Sequence, residues 1–342
     1  MKSLILKEPG EIPEFQVVDA PEPTLVPQGV IIKVAAAGVC HHDISVMDGT
    51  LKRGTKQDVV LGHETSGTVV DVGTEVTDVR IGDKVVTTLT SSCGTCSMCI
   101  DGNDYMCRSG LGYGHGIDGG FAEYLMLKSH NLVKVGDLDL VQSALLSCPI
   151  GVNIKALLDV ASLTGDDTCV VFGPGGGLGI HAMQIMQTLS SNVIGFTSSP
   201  RKLDEYSQYG ISSVFLLERD LPPSELVMAL TDDKGANIVF NPIGSKFLES
   251  SVDCLSYKGR VLLMGELSTG NVDFNASSLL FKNGMIIGST GASRPHIESA
   301  IAMVNSGDVV PVVGGEFSFQ DVLETFYAMK TSSSIGRLVL VP

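Results

Sequence analysis

The sequence predicts an α/β chain of two domains, a β-rich first domain followed by a doubly wound parallel sheet. Three observations predict this. The 342 residues suffice for two domains at about 150 each. Before about residue 150, β-branched runs are broken by Gly, Asp and Pro; from Val152, short apolar strands alternate with helical stretches, the pattern of parallel βαβ units. A glycine cluster follows one of those strands and opens a helix.

The elements follow in order. Residues 29–39, 67–72 and 83–89 read as strands. Pro9, Pro13, Pro21, Pro23 and Pro27 argue against any helix at the start. Residues 43–53, 138–146 and 153–162 read as helices. Then come a strand at 168–172, a helix at 178–189, a strand at 192–197 and a helix at 201–209. Apolar strands at 236–240, 259–264 and 285–289 continue the sheet. Helices at 300–305 and 322–329 precede a last strand at 337–341.

Lys and Arg number 23 against 38 Asp and Glu, a formal net charge of −15, which argues against a nucleic-acid or anionic-membrane partner. No apolar run approaches a membrane span. The first residues carry no signal-peptide pattern, so the chain is expected in the cytoplasm. In that compartment regularly spaced cysteines are metal ligands more often than disulfides, and there are eight.

Three constellations carry chemistry. Cys93, Cys96, Cys99 and Cys107 place four thiols within 15 residues. Zn²⁺ takes four soft ligands tetrahedrally, and a closed four-Cys site is structural because no position stays open. An iron–sulfur cluster also takes four Cys, but in differently spaced runs. The second constellation is Gly62-His63-Glu64, with Cys40-His41-His42-Asp43 upstream and Cys148 downstream. Two Cys and one His leave a fourth position open, the pattern of a catalytic zinc. Asp43 would then accept the free ring N–H of His63 and fix its tautomer. The third runs from strand to helix through Gly173, Gly175, Gly176, Gly177, Leu178 and Gly179, as G-x-x-G-G-x-G rather than a strict G-x-G-x-x-G. Small residues allow the turn, and the helix start offers N–H groups to a pyrophosphate, so a dinucleotide is the expected ligand.

Read together, G-H-E-x2-G-x5-G-x2-V from Gly62 to Val76, the four-Cys segment, Gly82-Asp83-Lys84-Val85 and the late Gly-rich turn resemble the zinc-containing medium-chain dehydrogenase/reductases, which include zinc alcohol dehydrogenases. The resemblance covers essentially the whole chain. It implies a GroES-like catalytic domain over residues 1–148, completed by 290–342, and a Rossmann domain over 149–289, with a cleft between them. It implies two zinc ions per chain. One is catalytic on Cys40, His63 and Cys148, with Glu64 as an alternate or neighbouring ligand; the other is structural on the four-Cys segment. It places His41 and Arg337 at the cofactor pyrophosphate. It also implies a homodimer or homotetramer, a strand like 285–289 pairing across the dimer.

Two departures from the family pattern bear on chemistry. The acid that normally ends the second Rossmann strand is missing, and Thr197, Ser198, Ser199, Arg201 and Lys202 follow instead. An acid there would repel a 2′-phosphate, so NADP(H) is expected over NAD(H). The usual relay hydroxyl after Cys-His is replaced by His42, and the later relay His by Ser45. An imidazole beside the reacting oxygen could take the proton itself. The segment at 111–123 also resembles a branch containing zinc-bearing acryloyl-CoA reductases. The expected activity is zinc-dependent hydride transfer between a nicotinamide cofactor and a small alcohol, aldehyde or ketone, because zinc polarises an oxygen directly. The alternatives are an enoyl-thioester reductase and a non-catalytic zinc-bearing binding protein on the same scaffold.

Overall fold

A computed structural model of the chain describes residues 1–189, 192–218, 220–266 and 271–342. The described residues form two compact units. One comprises Met1–Gly151, Gly291–Asn305 and Pro311–Pro342; the other comprises Val152–Thr290 and Ser306–Val310. The short return to the second unit is tied by Gln184. Its side chain donates to the Val310 carbonyl at 3.1 Å and accepts the Val310 N–H at 2.6 Å.

The first unit is the GroES-like domain. Its main sheet runs Val313–Ser318, Arg337–Val341, Gly29–Gly38, Glu64–Val72, Lys84–Thr87, Leu132–Lys134, and Tyr124–Lys128 also pairs with Gly29–Gly38. Val30, Ile32 and Val34 alternate into one apolar core with Val69, Val85 and Leu125, as period-two strands require. A hairpin of Lys2–Glu8 and Glu14–Asp19, absent from the sequence expectations, uses Pro9 and Pro13 in its connection. The helix expected over 43–53 is His41–Met47. It begins early because Asp43 accepts the Cys40 N–H at 2.8 Å, and Gly49 at φ +79° follows its end.

The helix expected over 138–146 is the short Leu140–Ser143 with a π segment, Leu146–Ile150, after it, and the one expected over 153–162 is largely a second π segment, Lys155–Val160. Pro149 sits inside the first; it has no N–H to donate, and the ladder shifts register, with Ile150 N–H bonding the Leu145 carbonyl at 3.2 Å.

The second unit is a Rossmann-type sheet of parallel strands in the order Val214–Leu216, Asn192–Thr197, Thr168–Phe172, Ala236–Asn241, Leu255–Leu263, Met285–Gly288. The order reverses between Thr168–Phe172 and Ala236–Asn241, where such sheets bind ligands beyond their strand ends. Val170, Phe172, Ile194, Phe196, Val239 and Val261 fill its core, with the Phe172 and Phe196 rings stacked at 5.8 Å. The helix expected at 201–209 is a 3₁₀ segment, Pro200–Tyr209, and the one expected at 300–305 is longer, Arg294–Ser306. Among the described residues no helix is long and apolar enough to cross a membrane.

Candidate functional site

One end of the first unit's sheet gathers the second constellation. Strand Gly29–Gly38 runs out toward Cys40, which starts the helix His41–Met47. Its neighbour starts at Glu64, which stands opposite Gly38 across the ladder. On the other side, strand Arg337–Val341 pairs Val339 with the same Gly38. The π turn delivers Cys148. As a result one donor atom from each of Cys40, His63, Glu64 and Cys148 lies within 4.8 Å of the others. Gly38 is required by this packing, because a Cβ there would fall on the Glu64 carboxylate.

The donor set fits a zinc ion: two thiols, an imidazole and a carboxylate, at separations one cation spans. The orientation of His63 agrees. Its Nδ1 lies 3.3 Å from Asp43 Oδ1 and its Nε2 3.6 Å from Glu64 Oε1, so one ring nitrogen faces Asp43 and the other faces the cluster. The Cys148 thiol beside Cys40, with Arg337 and His63, holds Cys40 well below the ordinary thiol range despite burial. Burial opposes charge on His63, but Asp43 and Cys40 together outweigh it and raise its pKa well above the usual imidazole value. Burial pushes Glu64 up to about 7 against the opposing Arg337.

Arg337, expected at the cofactor pyrophosphate, pairs with Glu64. Its guanidinium is buried in the first unit, with Nε 3.1 Å from Glu64 Oε2 and a hydrogen bond to the Val39 carbonyl. It draws the Glu64 pKa down without overcoming the effect of burial. His42 reaches solvent, and its ring meets His63 edge-on at 5.3 Å. On its other side it meets His115, also at 5.3 Å. Loss of hydration around the ring, and then the neighbouring His63, hold its pKa below the usual imidazole value. Ser45 donates its hydroxyl to the His41 carbonyl at 3.0 Å. His41 itself is half-buried, and burial lowers its pKa.

Cys93, Cys96, Cys99 and Cys107 converge in a second group. A tetrahedron with Zn–S bonds of 2.3 Å has edges of about 3.8 Å. The sulfurs of Cys93 and Cys99 are 3.9 Å apart, those of Cys96 and Cys99 3.5 Å, and those of Cys96 and Cys107 3.9 Å. Backbone N–H groups of Thr95 and Cys96 point at Cys93 Sγ from 3.4 and 3.3 Å. The Thr95 donors come first among the causes that bring the Cys93 thiol down to about 5.

In the second unit, Gly173 follows strand Thr168–Phe172 and helix Gly177–Thr188 begins with Gly176 as its cap. The first ladder bond runs from Ile180 N–H to the Gly176 carbonyl, so the N–H groups of Gly177, Leu178 and Gly179 precede the ladder. Gly179 has no room for a Cβ, which would strike the Gly173 carbonyl. Thr197 is buried and accepts the Ser199 N–H at 3.2 Å, Ser198 is exposed, and Arg201 is exposed. Lys202 is buried against the turn: a Cβ on Gly175 would meet the Tyr206 hydroxyl at 2.8 Å and Lys202 Nζ at 3.5 Å. Burial lowers the Lys202 pKa. The sequence reading missed Tyr206 and His115. Only the motif segment at 111–123 carried a signal for the latter.

The chain matches the family model of the alcohol dehydrogenase GroES-like domain over residues 26–137 and that of the zinc-binding dehydrogenases over 177–306. An acryloyl-coenzyme A reductase of Metallosphaera sedula is 30% identical, over 99% of this chain and 99% of its own. An NAD-dependent alcohol dehydrogenase of Sulfurisphaera tokodaii is 30% identical, over 100% of both chains. The solved alcohol dehydrogenase of Aeropyrum pernix superposes with a TM-score of 0.91 at 26% identity, over 100% of both chains.

Proposed function

The chain belongs to the zinc-containing medium-chain dehydrogenase/reductases, and from that premise we propose a zinc-dependent enzyme transferring hydride between NADP(H) and an alcohol or carbonyl substrate. The observation that carries the reading is the buried Cys40, His63, Glu64, Cys148 cluster. Those residues would hold a zinc ion, whose chemistry there is Lewis-acid polarisation of the substrate oxygen. Asp43 fixes the His63 tautomer. Arg337 offsets the charge of Glu64, so that four donors do not accumulate unopposed negative charge. His42 Nε2 or Nδ1 takes the proton released on alcohol oxidation, since Ser45 is engaged with its own helix. The four-Cys group holds a structural zinc and takes no part in the reaction.

The Gly-rich turn supplies N–H groups to the dinucleotide pyrophosphate, and His41 also belongs to the cofactor's binding set. Lys202 at Gly175, with Thr197, Ser198, Ser199 and Arg201 in place of an acid, supports NADP(H) over NAD(H). The exposed sheet-edge strand Met285–Gly288, with Leu280 and Phe281 68% and 81% exposed nearby, supports pairing of two copies. A second reading, reduction of an enoyl thioester, is favoured by the likeness to the acryloyl-coenzyme A reductases.

The test is oxidation of NADPH and of NADH with aldehydes, ketones and short enoyl-CoAs, with and without chelator. Cys40→Ser and His63→Ala are expected to abolish turnover while NADPH binding persists. His42→Ala is expected to lose about 10²-fold in alcohol oxidation, the low end for general acid–base catalysis, and His42→Thr to recover part of it. Full activity in a demonstrably zinc-free enzyme would overturn the proposal.

A further inference from the structure

A short cationic loop lies next to the metal cluster in a chain whose net charge is −15. Lys52, Arg53 and Lys56 fall within five residues that contain no acid. The loop is held in place from both ends. Leu51 N–H bonds the Ser45 carbonyl at 2.8 Å, and Thr55 donates its hydroxyl to the Leu51 carbonyl at 3.1 Å. Lys56 N–H bonds the His115 carbonyl at 2.8 Å, and His115 Nε2 contacts the Arg53 carbonyl at 3.0 Å. His115 is the residue whose ring meets His42, and His42 meets His63. Two ring contacts therefore separate the loop from the metal cluster.

The charges on this loop are unequally used. Lys56 pairs with Asp118, and Lys7 beside it pairs with Asp58 at 2.8 Å. Among the described residues, no acid pairs with Lys52 or Arg53, and both are exposed. The Lys52 stem packs beside Pro9, where a Cβ on Gly49 would meet Lys52 Cε at 3.3 Å and Pro9 Cβ at 3.4 Å. Lys7, Lys52, Lys56 and Asp58 rim a shallow depression floored by Leu6, Pro9, Val46, Leu51 and Val59, with Arg53 outside its lining. Lys52, uncompensated and with an apolar floor beside it, and the exposed Arg53 next to it in the chain suit an anionic group carried on a larger organic body. A guanidinium next to an ammonium suits phosphate oxygens in particular.

We infer that Lys52 and Arg53 bind the phosphate handle of the substrate, so that the enzyme acts on a phosphate-bearing alcohol, carbonyl or thioester rather than on a free small alcohol. This rests on the reading of the chain as a hydride-transfer enzyme, but it is measurable without turnover. Two sources supply such a handle, the nucleotide end of coenzyme A and a simple phosphate ester. The assay is calorimetric titration of adenosine 3′,5′-bisphosphate and, separately, glycerol 3-phosphate into the zinc-loaded enzyme with its dinucleotide site saturated by NADPH.

One of the two probes is expected to bind, and to bind more weakly as salt rises, because exposed charges are screened. Lys52→Ala/Arg53→Ala is expected to weaken that binding about tenfold, as loss of two charge-assisted contacts would. Lys52→Arg/Arg53→Lys, which keeps both charges, is expected to retain most of it. Preference for the bisphosphate assigns a coenzyme A thioester; preference for glycerol 3-phosphate assigns a small phosphate ester. Failure of both probes to bind the wild type, or equal binding by the alanine variant, overturns the inference. Turnover of unphosphorylated alcohols without probe binding removes the loop's role and leaves the enzymatic reading intact. Probe binding without hydride transfer to any substrate does the reverse.

Discussion

Replacing Cys96 by Ala tests what holds residues 93–110 together. None of the side chains in this stretch is buried; all are half-buried or exposed, with Ile100 and Met106 largely in solvent. The segment has no apolar core of its own. Its helices are single turns, Ser97–Ile100 and Asp104–Met106, far below the length at which a helix stands alone. Fixing the backbone of the fifteen residues from Cys93 to Cys107 costs about 1 kcal/mol each, roughly 15 kcal/mol in all. A structural zinc site supplies about 10–16 kcal/mol, which matches that cost. The remaining ties, Arg294 N–H to Asp104 at 3.4 Å and the backbone turns, contribute about 1 kcal/mol apiece. With a thiol gone, the metal's contribution collapses and the segment should unfold locally while the sheet behind it persists. Metal analysis should fall from two zinc ions per chain to one, and amide exchange over residues 94–106 should become fast. Limited proteolysis should cut there first. Unchanged exchange protection in a variant holding one zinc would refute the reasoning, because the segment would then be ordered by something other than its metal.

Arg337→Met leaves the Glu64 carboxyl buried without its partner, a loss of about 3–5 kcal/mol for breaking a buried pair, and should lower the thermal midpoint clearly. Glu64→Gln in the same chain should recover part of that loss. Gly179→Ala pushes a methyl into the Gly173 carbonyl, so NADPH affinity measured by fluorescence quenching should fall about tenfold or more while zinc content stays at its wild-type value. Phe281→Glu places a charge on the exposed edge beside Met285–Gly288 and should reduce the mass measured by light scattering to that of one 36.0 kDa chain.

The sequence by itself determined what is local. Cys93, Cys96, Cys99 and Cys107 lie within fifteen residues, so their spacing alone keeps them neighbours. The strand 168–172, the Gly-rich turn and the helix after it were legible for the same reason, because hydrophobic period and glycine placement act over a few residues. Only the tertiary structure decided the rest. Cys40, His63 and Cys148 are far apart in sequence; they meet because strand Gly29–Gly38 finishes where its antiparallel neighbour Glu64–Val72 starts, and a proline-bearing π turn reaches the same end of the sheet. Arg337 arrives from the far end of the chain through its strand's pairing at Gly38, and no periodicity in residues 337–341 reports that neighbour. Arg201 and Lys202 look alike in sequence, yet one faces solvent and the other lies against Gly175, since successive side chains on a helical turn point in different directions. His115 touches His42 only because the loop at 52–56 is stitched to the segment around it. Such contacts are fixed by chain closure over tens to hundreds of residues, and a local pattern carries no record of where closure brings the chain.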